Sequence, residues 1–245
     1  MSWPRFRLEG CRPVGEGLWL LSDEEAHHLL TVRHCREGGL VEGLLPGKII
    51  LSRLEPHGEG WAARVVEERT VTEEIPEIVL LAGILKGDGF DLLLRQVTEL
   101  GVSCVIPLRC DHSVVRLDGD RAAKKRARWE KIVQEESKQC RSPHVPTVAA
   151  PQTVGEALNL SLPSRRYIAA LDDEAVPLGA LDVPPSLALA VGPEGDWSVR
   201  ELVLFREARF EPVSLGPRIL RAFTAAVVVS SWAVLGRLGG RRVDP

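Results

Sequence analysis

The stretch Val191-Gly-Pro-Glu-Gly-Asp-Trp197, followed by Ser214-Leu-Gly-Pro-Arg-Ile-Leu-Arg221, is the most informative part of this chain. Each piece has an apolar run that ends in a loop rich in glycine and proline and continues into a predicted helix. Backbone N–H groups in such loops can meet polar atoms of a ligand, and glycine lets a flat ring approach closely. Two loops that follow successive strands can form the walls of one pocket. Neither loop is a standard phosphate-binding motif, so the pattern predicts a pocket for another kind of ligand.

Around these loops, strand-like and helix-like patterns alternate, which predicts an α/β domain with a parallel sheet. The expected strands are Ile78–Leu85, Val102–Leu108, Tyr167–Leu171, Leu187–Val191 and Val213–Leu215. The expected helices run from a cap at Asp88 to a stop at Gly101, over 119–140, from a capping box at Ser198-Val-Arg-Glu201, and over 222–238. Trp129, Ile132 and Val133 are predicted to face inward from the long charged helix.

The first part of the chain follows a different pattern, which predicts a small β-barrel. Its short apolar runs are Gly17–Leu21, Leu40–Leu45, Lys48–Leu54 and Trp61–Val66. A capping box, Ser22-Asp-Glu-Glu25, predicts one helix among these strands. The polar stretch 69–76 is the expected linker, so we predict two domains, 1–72 and 73–245.

Composition limits the class of protein. The 245 residues are 44% hydrophobic and 27% charged with a net charge of −3, as in a soluble globular protein. The five cysteines form no Cys-x-x-Cys pair, which argues against a disulfide scaffold and a zinc site and favours a reducing compartment. The amino terminus has no apolar run of the signal-peptide kind, and the apolar stretch 222–235 is too short for a bilayer. We therefore expect a cytoplasmic protein with no membrane partner and no metal.

The stretch Arg121-Ala-Ala-Lys-Lys-Arg-Ala-Arg128 carries cations at helical spacing. The same pattern continues to Lys131, Lys138 and Arg141. One interpretation is a solvated helix face, and the other is a surface that neutralises phosphates, with salt-dependent affinity. The presence of a separate small barrel favours the second interpretation.

Several motifs together resemble one family. They are Thr98-Glu-Leu-Gly-Val102, Arg128-Trp-Glu-Lys-Ile132, Glu135 to Gln139 with Val145-Pro146, Gly192-Pro-Glu-Gly195 with Ser198 and Glu201, and Leu215-Gly-Pro-Arg-Ile-Leu-Arg221. With them the chain resembles the bacterial ribosomal RNA small subunit methyltransferase E family over nearly its whole length, including Arg5-Phe6 and Ala26-His-His-Leu-Leu30. These are SPOUT-class enzymes that methylate N3 of one uridine in 16S ribosomal RNA with S-adenosylmethionine.

The resemblance implies a PUA-like amino-terminal barrel and a carboxyl-terminal α/β domain with a trefoil knot, working as a homodimer. It places a set of residues around the cofactor: Leu171, Gly192, Pro193, Glu194, Gly195, Leu215, Gly216, Ile219, Leu220 and Arg221. It implies 16S ribosomal RNA as the partner. The residues that we predict to contact RNA are Arg5, Arg7, Lys124, Lys125, Arg128, Lys138 and Arg141.

For the chemistry, a guanidinium near the uridine would stabilise the anion that forms when N3 loses its proton. Arg221 is the first candidate for this role and Arg218 the second. Glu194 is expected to fix its loop by accepting backbone N–H bonds rather than to act as a base.

The chain departs from the family pattern at Asp196-Trp197, at Ala222-Phe223 and at Ser142, where the family has an arginine. The changes at Asp196, Ala222 and Phe223 leave a second hypothesis open, an RNA-binding or ribosome-assembly protein whose methyltransferase site is inactive. A third, a nucleotide-dependent metabolic enzyme on a doubly wound sheet, lacks a glycine fingerprint and leaves the basic helix unexplained.

Overall fold

A computed structural model of the chain describes residues 3–45, 47–70, 77–113, 119–140, 142 and 144–236. These residues form two compact units. The first comprises the described residues within Met1–Glu74 and Ser137–His144, and the second those within Ile75–Glu136 and Val145–Pro245. The predicted boundary after residue 72 falls in 71–76, outside the described residues, and stays a prediction.

The first unit is built on one six-stranded sheet with a short helix. Its strands are β1 (Arg5–Arg7), β2 (Arg12–Gly15), β3 (Leu18–Leu20), β4 (Leu40–Leu45), β5 (Lys48–His57) and β6 (Gly60–Thr70). Helix α1 (Asp23–His27) continues into one π-helical turn, His28–Val32. The strand order is β1-β4-β5-β6-β3-β2, with β1 parallel to β4 and the other pairs antiparallel.

The four strands predicted for this unit are confirmed, and β1 and β2 were missed. Both are short, and β1 reads Arg-Phe-Arg, so neither has the apolar run that identifies a strand. Closure of this sheet into a barrel stays a prediction. The predicted capping box is only half formed, since Ser22 Oγ accepts the Glu25 N–H at 3.3 Å while the Glu25 carboxylate binds Lys138.

The second unit is an α/β fold with a parallel sheet, as predicted. Its strands are β7 (Glu77–Gly83), β8 (Cys104–Leu108), β9 (Thr147–Val148), β10 (Arg165–Ala169), β11 (Val176–Pro177), β12 (Ser186–Val191) and β13 (Glu211–Ser214). Its helices are α2 (Gly89–Leu100), α3 (Gly119–Gln139), α4 (Val154–Leu158), α5 (Val199–Glu207) and α6 (Ala222–Leu235). The last residues of α3, from Ser137, belong to the first unit.

The sheet order is β11-β13-β10-β12-β7-β8-β9, and every pair is parallel. Side chains alternate along its central strands. Ile78 and Leu80 enter one hydrophobic core with α2, α3 and α6, whereas Val79 and Leu81 enter a second core with α4 and α5. Because both faces are covered, β7 and β12 are nearly continuous apolar runs.

Most predicted helix signals are confirmed. Gly101 ends α2 in the left-handed conformation with φ 90°, and Ser198 forms a complete capping box with Glu201. Asp88 occupies the position before α2, but the prediction that its side chain caps the helix is wrong, since it makes no such bond. Strand β10 ends at Ala169, so Leu171 lies two residues beyond the strand that was expected to contain it. In the part of the chain that the structure describes, no helix is long and apolar enough to cross a membrane.

Candidate functional site

The candidate site lies at the carboxyl edge of the parallel sheet. Strands β13, β10, β12 and β7 are neighbours in that order, so the loops that follow them emerge side by side. Ligands bind at this edge in open α/β sheets. Both loops that the sequence singled out, after β12 and after β13, begin here.

The loop after β12, residues 192–197, packs against the end of β7. A Cβ added to Gly83 would lie 2.5 Å from the Pro193 nitrogen, so the two backbones are in direct contact. The Glu194 carboxylate accepts the Lys86 N–H at 3.0 Å. The expectation that Glu194 fixes its loop by accepting a backbone N–H is therefore confirmed.

The same loop is anchored at its other end by Trp197, which is buried and packs edge-on against Phe205 with ring centroids 4.7 Å apart. Its indole N–H donates to the Ala169 carbonyl at the end of β10, at 3.1 Å. Asp196 has φ +61°, and its carboxylate accepts the Trp197 backbone N–H at 2.8 Å. The aspartate thus occupies a left-handed position that a glycine would adopt more easily, stabilised by a local hydrogen bond.

A polar cluster after β8 supports the loop from a third side. Both Asp111 carboxylate oxygens accept from Arg200, at 2.6 and 3.2 Å, and one also accepts from Ser198 Oγ at 2.7 Å. The hydrogen bond from Arg200, followed by that from Ser198, lowers the pKa of Asp111 below its ordinary value. His112 Nδ1 lies 3.0 Å from the Gly195 carbonyl, to which it donates as the N–H tautomer.

The loop after β13 is more exposed. Gly216 has φ +115°, a backbone conformation that disfavours any side chain, and its N–H donates to Ser214 Oγ at 3.3 Å. Leu215 and Leu220 are half-buried against the core of the second unit. Arg218 and Arg221 are exposed, and Arg221 is the residue before α6, where its side chain makes no capping bond.

Two large apolar side chains are left exposed at this edge. Leu171, after β10, is 71% exposed, and Ile219, after β13, is 81% exposed. A Cβ at Gly216 would meet nothing within 4 Å, so the backbone there faces open space. These features suit a ligand with a flat apolar ring. Within the described ranges, no group of three or more His, Cys, Asp or Glu side chains could hold a metal ion.

The residues predicted to bind RNA fall into two groups. On α3, Lys124 is exposed, Lys125 is half-buried, and Arg128 is 58% exposed while it binds Asp91 at 2.5 Å. Arg141 lies outside the described residues.

The other three predicted RNA contacts, Arg5, Arg7 and Lys138, are largely buried within the first unit. Arg5 binds Glu42 at 2.6 Å, and Lys138 binds Glu25. Arg7 is 4% exposed, and burial lowers the pKa of its guanidinium. The structure gives all three internal partners, and their contacts with RNA remain a prediction.

Several residues of the site carried no sequence signal. Ala169 and Lys86 contribute backbone groups, which any residue type has. Asp111 and Arg200 are far apart in the sequence and meet only because β8 and β12 end at the same edge.

Comparison with known proteins agrees with this geometry. The RNA methyltransferase domain family matches residues 73–234. The ribosomal RNA small subunit methyltransferase E of Synechocystis sp. is 33% identical over 218 residues, which cover 85% of this chain and 70% of that protein. The chain belongs to the ribosomal RNA small subunit methyltransferase E family. The resemblance seen in the sequence motifs is thereby confirmed.

Other members of the family extend the comparison. The Bacillus subtilis member is 28% identical over 225 residues, covering 86% of this chain and 87% of that protein. A crystal structure of the Neisseria gonorrhoeae member, bound to S-adenosyl methionine, is 33% identical and superposes with a TM-score of 0.84, covering 94% of this chain and 96% of that one.

Proposed function

We propose that this protein transfers a methyl group from S-adenosylmethionine to N3 of a uridine in 16S ribosomal RNA. Membership of the family and the likeness to a member bound to S-adenosyl methionine support the proposal. The observation that carries it is the pair of loops after β12 and β13, which flank the end of β10 at the ligand-binding edge of the sheet.

The residues of this edge fit such a cofactor. The 192–195 backbone and the loop 215–221 would hold it, together with Leu171. Exposed Leu171 and Ile219 would cover the apolar face of the adenine, and Gly216 leaves room for close approach. Glu194 accepts the Lys86 N–H at 3.0 Å and so helps to fix the loop that would hold the cofactor. When bound, the cofactor supplies an electrophilic methyl group on a sulfonium.

The contribution of the chain itself is positioning and charge stabilisation. A uridine that loses its N3 proton spreads negative charge over two carbonyl oxygens. The Arg221 guanidinium, with Arg218 as the second candidate, stabilises that charge, and both side chains are exposed at this edge. The amino terminus of α6 adds a partial positive charge of the same sign.

The remaining parts of the proposal concern RNA and assembly. RNA phosphates bind to Lys124, Lys125 and Arg128 on α3. A PUA-like barrel in the first unit also binds RNA. The target base leaves its stack to reach the site. The chain of the second unit forms a trefoil knot. The protein works as a homodimer in the cytoplasm. Leu92 on α2 (48% exposed) and Leu235 on α6 (61% exposed) support a dimer contact, since both helices cover the same face of the sheet.

The decisive experiment is mass spectrometry of 16S ribosomal RNA from cells that lack this protein. One uridine should lose one methyl group, and the wild-type gene should restore it. Calorimetry with S-adenosylmethionine separates this proposal from an assembly protein with an inactive site, because an inactive site would release no heat. RNA with unchanged methylation in the deletion strain would refute the proposal.

A further inference from the structure

We infer that Trp197 is a positioning residue, whose indole N–H fixes the loop 192–197 to the end of β10 and so sets the spacing between the two walls of the site. This inference rests on the proposed function, because the loop is taken to hold S-adenosylmethionine. Trp197 itself lies beneath the loop, with only 6% of its surface exposed.

The acceptor of the indole bond is placed where it can control both walls. Ala169 is in register with Val191, the residue immediately before Gly192, and with Val213, two residues before Leu215. Its carbonyl receives the Trp197 N–H at 3.1 Å. A single hydrogen bond therefore ties the first loop to the strand that lies between β12 and β13, two residues before Leu171.

The indole ring has little freedom to move away from this bond. A Cβ on Gly192 would lie 3.2 Å from the ring, so the start of the loop rests on the ring that ends it. On its other side the ring contacts Phe205, which in turn packs on Phe210 with centroids 4.9 Å apart. Asp196 fixes the final backbone turn through the Trp197 N–H.

If the Trp197 ring only fills space, phenylalanine should replace it with little effect on the loop. If the indole N–H holds the loop, phenylalanine should loosen it, because the donor is lost. Trp197→Phe keeps an aromatic ring on Phe205 and removes the N–H donor. Phe210→Leu is the matched control, since it loosens the same aromatic cluster without touching the loop.

The experiment measures two quantities for wild type and both variants. The first is the calorimetric Kd for S-adenosylmethionine, which should rise about tenfold in Trp197→Phe, the expected effect of one lost hydrogen bond. The Kd should stay within about twofold of wild type in Phe210→Leu, even though this substitution should lower the unfolding midpoint of the protein. The second is amide hydrogen exchange at Gly192, Glu194, Gly195 and Asp196 in the free protein, which should become faster only in Trp197→Phe.

The outcomes separate the inference from the proposed function. Wild-type protein that releases no heat refutes the proposed function, and the exchange of the loop then decides the inference alone. Unchanged exchange in Trp197→Phe overturns the inference whatever the cofactor result. An equal loss of affinity in Phe210→Leu also overturns it, because the effect would then follow the stability of the cluster and not the indole bond.

Discussion

The backbone of Gly83 lies against Pro193 so closely that a Cβ on residue 83 would come within 2.5 Å of the proline nitrogen and 2.9 Å of the Gly192 carbonyl carbon. The neighbour is backbone, which cannot rotate away as a side chain can. The end of β7 thus supports the loop 192–197, and glycine at position 83 is a condition for the shape of the site.

Gly83→Ala should therefore displace the loop. We expect a loss of stability of about 1–3 kcal/mol and a cofactor affinity lowered at least about tenfold, measured by urea unfolding and calorimetry. Gly155→Ala is the control, because a Cβ there would meet nothing within 4 Å, and it should be neutral or stabilising by up to about 1 kcal/mol. Normal cofactor binding by Gly83→Ala would show that the loop does not depend on this contact.

Arg221→Ala should lower the rate of methylation about 100-fold or more, because one group that stabilises developing charge is removed. The unfolding midpoint should change little, since the Arg221 side chain makes no capping bond to α6. Arg165→Ala is the matched control, an arginine 62% exposed at the start of β10 and therefore at the opposite edge of the sheet. Turnover equal to wild type in a radiolabelled methyl-transfer assay would remove Arg221 from the mechanism.

Reversal of charge at Lys124 and Lys125 should weaken RNA binding and lower the salt slope of log K by about 2, since each neutralised phosphate contributes about 0.9. Arg128 is left intact because it binds Asp91, and its reversal would disturb the packing of α3 on α2. Arg165→Glu with Arg206→Glu changes the net charge equally and should leave the slope unchanged. Identical slopes for both double variants would mean that α3 presents only a solvated face.

Lys138→Met should destabilise the protein by about 3–5 kcal/mol, because it leaves the buried Glu25 carboxylate without its partner. Adding Glu25→Gln should recover part of that loss. The exposed pair of Lys48 and Glu68 provides the control, and Lys48→Met should cost less than about 1 kcal/mol. If Lys138→Met keeps full stability in urea and loses only RNA affinity, Lys138 is an RNA contact instead.

The cluster at Asp111 predicts a pH dependence of stability. Its pKa in the folded protein lies below the ordinary value of 3.8, so the cluster stabilises the fold above that value and loses this effect as the pH falls through the folded pKa. Wild type should be more stable than Asp111→Asn at neutral pH, and the difference should shrink below about pH 4. Arg200→Gln removes the largest cause of the shift and should reduce the dependence in the same way. A difference between wild type and Asp111→Asn that is constant from neutral to acid pH would contradict this account.

Periodicity in the sequence determined much of the fold. The apolar runs at β7 and β12 and the inward face of α3 were predictable, because burial on both sides of a sheet or on one side of a helix selects residues at fixed spacing. The glycine- and proline-rich segments after two apolar runs identified the loops of the site, and motif resemblance supplied the family.

Only the tertiary structure decided what supports those loops. The Trp197 bond to Ala169, the contact of Gly83 with Pro193 and the salt bridge of Asp111 with Arg200 join residues far apart in the chain. The tertiary structure also showed that Glu25 binds Lys138, 113 residues away, and does not complete a local capping box. The physical reason is the same throughout: a hydrogen bond or a steric contact depends on which chain segments a parallel sheet or a folded unit brings together, and spacing along the sequence does not encode that.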